Sequence, residues 1–184
     1  TATVLKDAIN LNSGAHRTVA TAFNTLKGAA PTQSTFVAGA IQINGNDVGA
    51  AGSVVELVSN INRDAGGVYA TLGSDGTIEL SNDTGADIII ATSTATQAGF
   101  TVGTYQGFIA LNSLDGDAIT VQAKSTYNGF STNTGTNAMV KGFGFNETAD
   151  GKSFTGSMVT AASITDDDVI QINGVTLGES SDSS

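Results

Sequence analysis

The phrase Ile41-Gln42-Ile43-Asn44-Gly45 returns near the far end of the chain as Ile170-Gln171-Ile172-Asn173-Gly174, and each copy runs on to a further glycine, Gly49 and Gly178. A phrase that recurs implies a structural unit that recurs. Alternating isoleucine and glutamine predicts a strand with one buried face, and Asn-Gly predicts the tight turn that ends it. After the first copy, Ser53-Val54-Val55-Glu56 has the Ser-x-x-Glu spacing of a capping box that opens an amphipathic helix. Val54, Leu57, Val58 and Ile61 lie at helical spacing along that helix, and Gly66-Gly67 stops it. Two strands are expected next, Val68 to Leu72 and Thr77 to Leu80, joined by Ser74-Asp75-Gly76. The unit is therefore strand, helix, hairpin. Helices are expected over about residues 3 to 12 and 54 to 64, packed on antiparallel sheets through Leu5, Ala8, Ile9 and Leu57, Val58, Ile61.

These residues resemble the flagellin hook IN motif, found in the variable outer domains of bacterial flagellins and in some flagellar cap proteins. The match runs through Ile43-Asn44-Gly45-Asn46-Asp47-Val48-Gly49, then Leu57-Val58-Ser59-Asn60-Ile61-Asn62, the Gly67-Val68-Tyr69-Ala70 strand and the Gly76 to Leu80 hairpin arm. A second, partial match is Leu5-Lys6-Asp7-Ala8-Ile9-Asn10 followed by Val19-Ala20-Thr21-Ala22, and a third is Ile172-Asn173-Gly174-Val175-Thr176-Leu177-Gly178. Gly107-Phe108-Ile109-Ala110-Leu111, leading to Leu114-Asp115-Gly116-Asp117-Ala118-Ile119-Thr120-Val121, resembles the family's later outer-domain strands. Between Asn10 and Val19 the chain departs from the pattern, with Ala15-His16-Arg17 where the family has Thr-Gly. The resemblance implies an α+β fold: antiparallel sheets with two short helices from repeated strand-helix-hairpin units, plus a β-rich second subdomain. It also implies a structural protein displayed outside the cell on the flagellar filament, with neighbouring flagellin subunits as its partners. The long heptad-patterned helices that polymerise flagellin are not among these residues, so this chain is expected to be a monomer when isolated.

Abundant Ser, Thr, Asn and Gly with few charges suit either a β-rich surface protein or a partly disordered linker. The hydrophobic fraction of 40% and the strand periodicity favour the folded reading. There is no Cys, which excludes a disulfide framework. No signal peptide or membrane-spanning run is visible; in a flagellin the export signal would lie outside these residues. The net charge of −10, with seven scattered basic residues, argues against nucleic acid as a partner. No Walker-type glycine loop is present. The acidity reads as solubility and mutual repulsion at the surface.

Several patterns invite a chemical reading. Asp83-Thr84-Gly85-Ala86-Asp87 resembles the aspartic protease signature, but that chemistry needs two carboxylates sharing a proton. Asp83 follows the polar Ser81-Asn82, so a turn before Ile88-Ile89-Ile90 is expected. Asp166-Asp167-Asp168 has carboxylates suited to a hard cation but no calcium-loop spacing, and is read as blunting the next strand. Asp115-Gly116-Asp117 is read as a hairpin turn. His16, the only histidine, is expected in an exposed loop, and neither a zinc site nor a catalytic triad is expected around it. No catalytic, metal or cofactor-binding residue is therefore assigned, and no enzyme activity is expected. Asn82-Asp83-Thr84 and Asn146-Glu147-Thr148 fit the N-glycosylation sequon, while Thr92 to Thr96 and Ser125 to Thr136 are read as Ser/Thr-rich loops and candidate O-glycan acceptors. The aromatics Phe100, Tyr105, Phe108, Tyr127, Phe130, Phe143 and Phe145 are expected to be core rather than a sugar-binding row.

The expected organisation is an outer domain over residues 1–93, completed by 164–184, with 94–163 as a β-rich subdomain in which Gly142-Phe143-Gly144-Phe145 is a short strand. The first set opens at its helix and lacks a leading strand, and the last residues are that strand without its helix. Either the ends close in space, the strand Val169 to Asn173 pairing beside Val19 to Phe23 as Ile41 to Asn44 is expected to pair beside Val68 to Leu72, or the chain is an excerpt of a longer repeat. The alternatives to a flagellin outer domain are a glycan-binding adhesion module and an outer domain of the filament-cap protein.

Overall fold

The computed structural model describes residues 1–123, 137–145, 153–156, 158–159 and 170–176. Within them the chain runs α1 (Ala2–Leu11), α2 (Ser13–His16), β1 (Thr18–Lys27), β2 (Gln42–Ile43), β3 (Asn46–Asp47), α3 (Val54–Asp64), β4 (Tyr69–Leu72), β5 (Ile78–Asn82) and β6 (Ile88–Ile90). A 3-10 helix (Ser93–Ala98) follows, then β7 (Gly103–Tyr105), β8 (Phe108–Ser113), β9 (Val121–Ala123), α4 (Asn137–Gly142), β10 (Ser153–Thr155), β11 (Ile170–Ile172) and β12 (Val175–Thr176). Every recorded strand pairing is antiparallel, and the fold is α+β. The two main helices begin and end within two residues of where the apolar spacing puts them.

The chain divides into two compact units. Phe23–Gln106 form an inserted unit, and Thr1–Ala22 with Gly107–Ser184 form a split unit around it in sequence. This differs from the expected 1–93, 94–163 and 164–184 division. The two main helices serve different cores. Leu5 and Ile9 of α1 are buried with Ile109, Leu111, Ile119 and Val121, whereas Leu57 and Ile61 of α3 are buried with Ile78, Leu80, Ile88 and Ile90.

In the inserted unit, Ser53 Oγ accepts the Glu56 N–H at 3.1 Å, and Glu56 Oε2 accepts the Gly52 N–H at 2.8 Å. That is the expected capping box, with the glutamate reaching one residue beyond the N-cap. α3 packs on the hairpin of β4 and β5, where Ala70 pairs with Leu80. A second sheet has the order β3-β2-β6-β7. Asn44 and Gly45 both take positive φ, 51° and 80°, as the turn between β2 and β3 demands.

The split unit repeats this plan in a permuted order. Leu5, Ile9 and Asn10 stand where Leu57, Ile61 and Asn62 stand; Ile109, Leu111 and Ile119 stand where Ile78, Leu80 and Ile88 stand. Ile172 pairs with Val121 as Ile43 pairs with Ile90. In the inserted unit the Ile-Gln-Ile-Asn-Gly hairpin precedes its helix, α3, whereas in the split unit it follows both its helix, α1, and β9.

Matched asparagines make the correspondence chemical. Asn62 accepts the Ala70 N–H at 2.7 Å and donates to the Ala70 carbonyl at 2.9 Å; Asn10 does the same to Ala20 at 2.8 and 2.9 Å. Asn44 donates its backbone N–H to the Ile89 carbonyl at 2.9 Å and accepts the Ile89 N–H on Oδ1 at 2.8 Å; Asn173 makes the same pair with Thr120, at 2.9 and 2.8 Å. A carboxamide presents both donor and acceptor, so the Asn10 and Asn62 side chains each stand in for a neighbouring strand, while Asn44 and Asn173 hold theirs through one backbone and one side-chain bond. Asn10 and Asn62 fill the outer edges of β1 and β4 at Ala20 and Ala70. That is the physical reason the terminal hairpin is not beside Val19 to Phe23 and β2 is not beside β4: β11 pairs with β9, and β2 pairs with β6.

Four further expectations are corrected. Gly142-Phe143-Gly144-Phe145 is the end of α4 and a turn, with both phenylalanines buried. Gly144, at φ 84°, explains why a strand does not form there. Asp115-Gly116-Asp117 turns the chain from β8 to β9, which belong to different sheets, so it is a crossing and not a hairpin. His16 is fully buried. Ser93–Ala98 is a 3-10 helix rather than open loop. Residue Val169, Asp166 to Asp168 and the tail Leu177 to Ser184 lie outside the described residues.

Candidate functional site

Residues with chemical capacity are mostly occupied in holding backbone. His16 Nε2 lies 2.8 Å from the Ile9 carbonyl while Nδ1 accepts the Thr18 N–H at 3.2 Å, which makes Nε2 the protonated nitrogen. Both ring nitrogens are thus used where α1 gives way to β1. Asn10 and Ala20 are 10 residues apart and Asn62 and Ala70 only 8; the longer connection carries α2 and the buried ring. Arg17 sits at φ 55° just before β1, and Gly67 at φ 78° just before Val68.

Asp83 is exposed at the tip of a turn organised by its neighbour. Asn82 Oδ1 accepts the Gly85 N–H at 2.9 Å and its Nδ2 donates to the Ala86 carbonyl at 2.9 Å. The Asn82 carboxamide, the acceptor position of the first sequon, is buried and bonded at both of its polar atoms. Asn146 lies outside the described residues, as does the whole of Ser125 to Thr136, with Tyr127 and Phe130 in it. Of the other aromatics, Phe100, Phe143 and Phe145 are core, and Tyr105 packs against it. Thr92 Oγ1 donates to the Ala40 carbonyl at 2.9 Å, Thr94 bonds the same carbonyl, and Thr96 bonds Ser93 at 2.9 Å, so these hydroxyls hold their own loop.

Three carboxylates are tuned by their surroundings. Hydrogen bonds from Arg63, then from the Gly49 N–H, bring Asp64 down to about 2. Bonds from Lys27 and then Thr77 push Asp75 further below the ordinary carboxylate range. The Asp117 N–H, followed by Ser113, lowers Asp115. All three belong to structural ion pairs and turns at the surface, Asp64 half-buried and Asp75 and Asp115 exposed. Among the described residues no group of three or more His, Cys, Asp or Glu could hold a metal ion, and no helix is long and apolar enough to cross a membrane.

The described residues also form a surface depression. It has a volume of about 520 Å³ and lies on the outer face of β1, β5 and β4 in the inserted unit, lined by Phe23, Thr25, Tyr69, Glu79, Ser81 and Asp83 among others. Its origin is in the register: Thr25 pairs with Ser81 and Ser81 with Tyr69, so small side chains lie in a row beside a tyrosine that is 66% exposed. In sequence Tyr69 reads only as part of a strand; the period-two alternation that buries Ala70 is the signal that Tyr69 faces outward.

No protein-family model matches the chain, and no curated protein matches it either.

Proposed function

We propose that this chain is a surface-displayed outer domain of a bacterial flagellin, with a structural role on the filament, outside the cell and beside neighbouring flagellin subunits. The observation that carries the reading is the repeated unit itself. The motif residues Asn44, Asn62, Asn10 and Asn173 make paired bonds at equivalent positions in two copies of one plan. Their shared job is to finish sheets, which is what a displayed scaffold requires. Lys27, Arg63, Asp64, Asp75 and Asp115 are likewise engaged in turns and ion pairs, and no catalytic role is proposed. The test is immunogold labelling of the source bacterium with antibody raised against this chain. Labelling along flagellar filaments supports the reading. Labelling confined to filament tips favours the filament-cap protein, and labelling elsewhere on the cell overturns both.

A further inference from the structure

We infer that the depression on the outer face of β1, β5 and β4 binds the ring of a pyranose sugar that carries no negative charge. The inference goes beyond the structural role and does not depend on it. Phe23 and Tyr69 stand on β1 and β4, with β5 between them, and Ser81 of β5 is too small to fill the gap. Tyr69, Ser81 and Thr25 lie in one row across β4, β5 and β1, and Phe23 stands two residues further along β1. Two interstrand spacings and that offset set the two aromatic positions roughly 12 Å apart, wide enough for one sugar ring. Tyr69 is 66% exposed, which leaves its ring face free to stack on the apolar C–H face of a pyranose. Hydrogen-bonding groups surround that platform. The Ser81 hydroxyl lies in the central row, Glu79 accepts the Thr25 hydroxyl at 2.7 Å, and Asp83 is exposed at the far end. Carboxylates and hydroxyls of this kind accept and donate to sugar hydroxyls.

Charge selects the class of sugar. None of the lining residues is basic, and two are acidic. Lys27, opposite Glu79 on the same face, is held by Asp75 at 2.7 Å. A sialic or uronic acid would meet two carboxylates without a cation, and a nucleic acid would be repelled in the same way. A neutral or amino sugar meets no such cost.

The 184-residue chain, labelled with ¹⁵N, is titrated with lactose, cellobiose, chitobiose and sialyllactose and followed by amide chemical shifts. At least one of the three uncharged disaccharides is expected to shift Thr25, Tyr69, Ser81 and Asp83 together, with a Kd on the order of 1 mM, while sialyllactose binds at least tenfold more weakly. Tyr69→Ala should weaken binding tenfold or more without moving the melting temperature, and Tyr69→Phe, which keeps the ring, should retain it. Shifts absent with all three uncharged disaccharides, sialyllactose binding equally well, or unchanged affinity in Tyr69→Ala would each overturn the proposal.

Discussion

Asn173 donates its side-chain amide to the backbone carbonyl of His16 at 2.7 Å, across 157 residues of sequence. The same nitrogen lies 3.3 Å from Thr18 Oγ1, so the last hairpin is fastened to the end of the first segment within the split unit. Ile170 and Ile172 then join Leu5 and Ile9 in one core. The equivalent asparagine of the inserted unit, Asn44, makes the shared contact with its β6 partner, Ile89, while Asn173 adds the tie to the split unit's own beginning.

Removing a strand-mimicking carboxamide should cost about 1–3 kcal/mol, because it leaves a strand N–H and carbonyl unpaired. Asn62→Ala should show this loss by urea denaturation. Asn62→Asp keeps the shape but sets a carboxylate oxygen against the Ala70 carbonyl, so it should be at least as damaging. If Asn62→Asp is as stable as the parent, the carboxamide is not acting as a strand surrogate.

Leu57 is fully buried in the core of the inserted unit. Leu57→Ala should destabilise by roughly 2–5 kcal/mol. A loss under about 1 kcal/mol would mean the helix face collapses onto the space, or that α3 is not anchored there.

Gly99 takes φ 89°, and a Cβ built on it would come within 2.0 Å of the Ala29 carbonyl oxygen, while the Ala29 N–H donates to the Gly99 carbonyl at 2.8 Å. Strain and clash act together in Gly99→Ala, which should lose more than the ~1–2 kcal/mol of left-handed backbone alone. A melting temperature equal to the parent's would contradict this packing.

How much of this was readable from sequence follows the range of each interaction. α3 and its cap were legible because spacing and Ser-x-x-Glu are local signals. The turn at Asp83 was legible for the same reason. His16 was not: a lone histidine in a polar loop gives no sign that it will bond Ile9 and Thr18. The division into units was missed because strands were grouped with their neighbours in sequence. One signal for it was present. Ile109, Leu111, Gly116 and Ile119 repeat the offsets of Ile78, Leu80, Gly85 and Ile88, which marks a second copy of the hairpin arm after the inserted residues. The outward Tyr69 groove depends on side chains from three strands meeting in register, and no local pattern encodes that.

Acid should weaken the fold in a defined window. Asp64 is lowered to about 2 and Asp75 lies lower still, against an ordinary value near ~3.9 in the unfolded chain. A depressed carboxylate contributes stability that is present above its unfolded pKa and lost as pH falls through its folded one. Stability measured by urea should therefore decline from about pH 4 toward pH 2, and the decline should be shallower in Asp64→Asn. An identical pH profile in that variant would remove Asp64 from the account.

The central claim is that the split unit is closed by its own two ends. Truncation after Asp168 removes Ile170, Ile172 and Asn173 and leaves every residue of the inserted unit in place. Amide hydrogen exchange, read residue by residue on the truncated chain, tests this directly. Protection should collapse at Ala20, Leu111 and Val121 and persist at Ala70, Leu80 and Ile90. Retained protection at Ala20 and Val121 would contradict closure by the chain's own ends, and equal loss at all six sites would contradict two separately cored units.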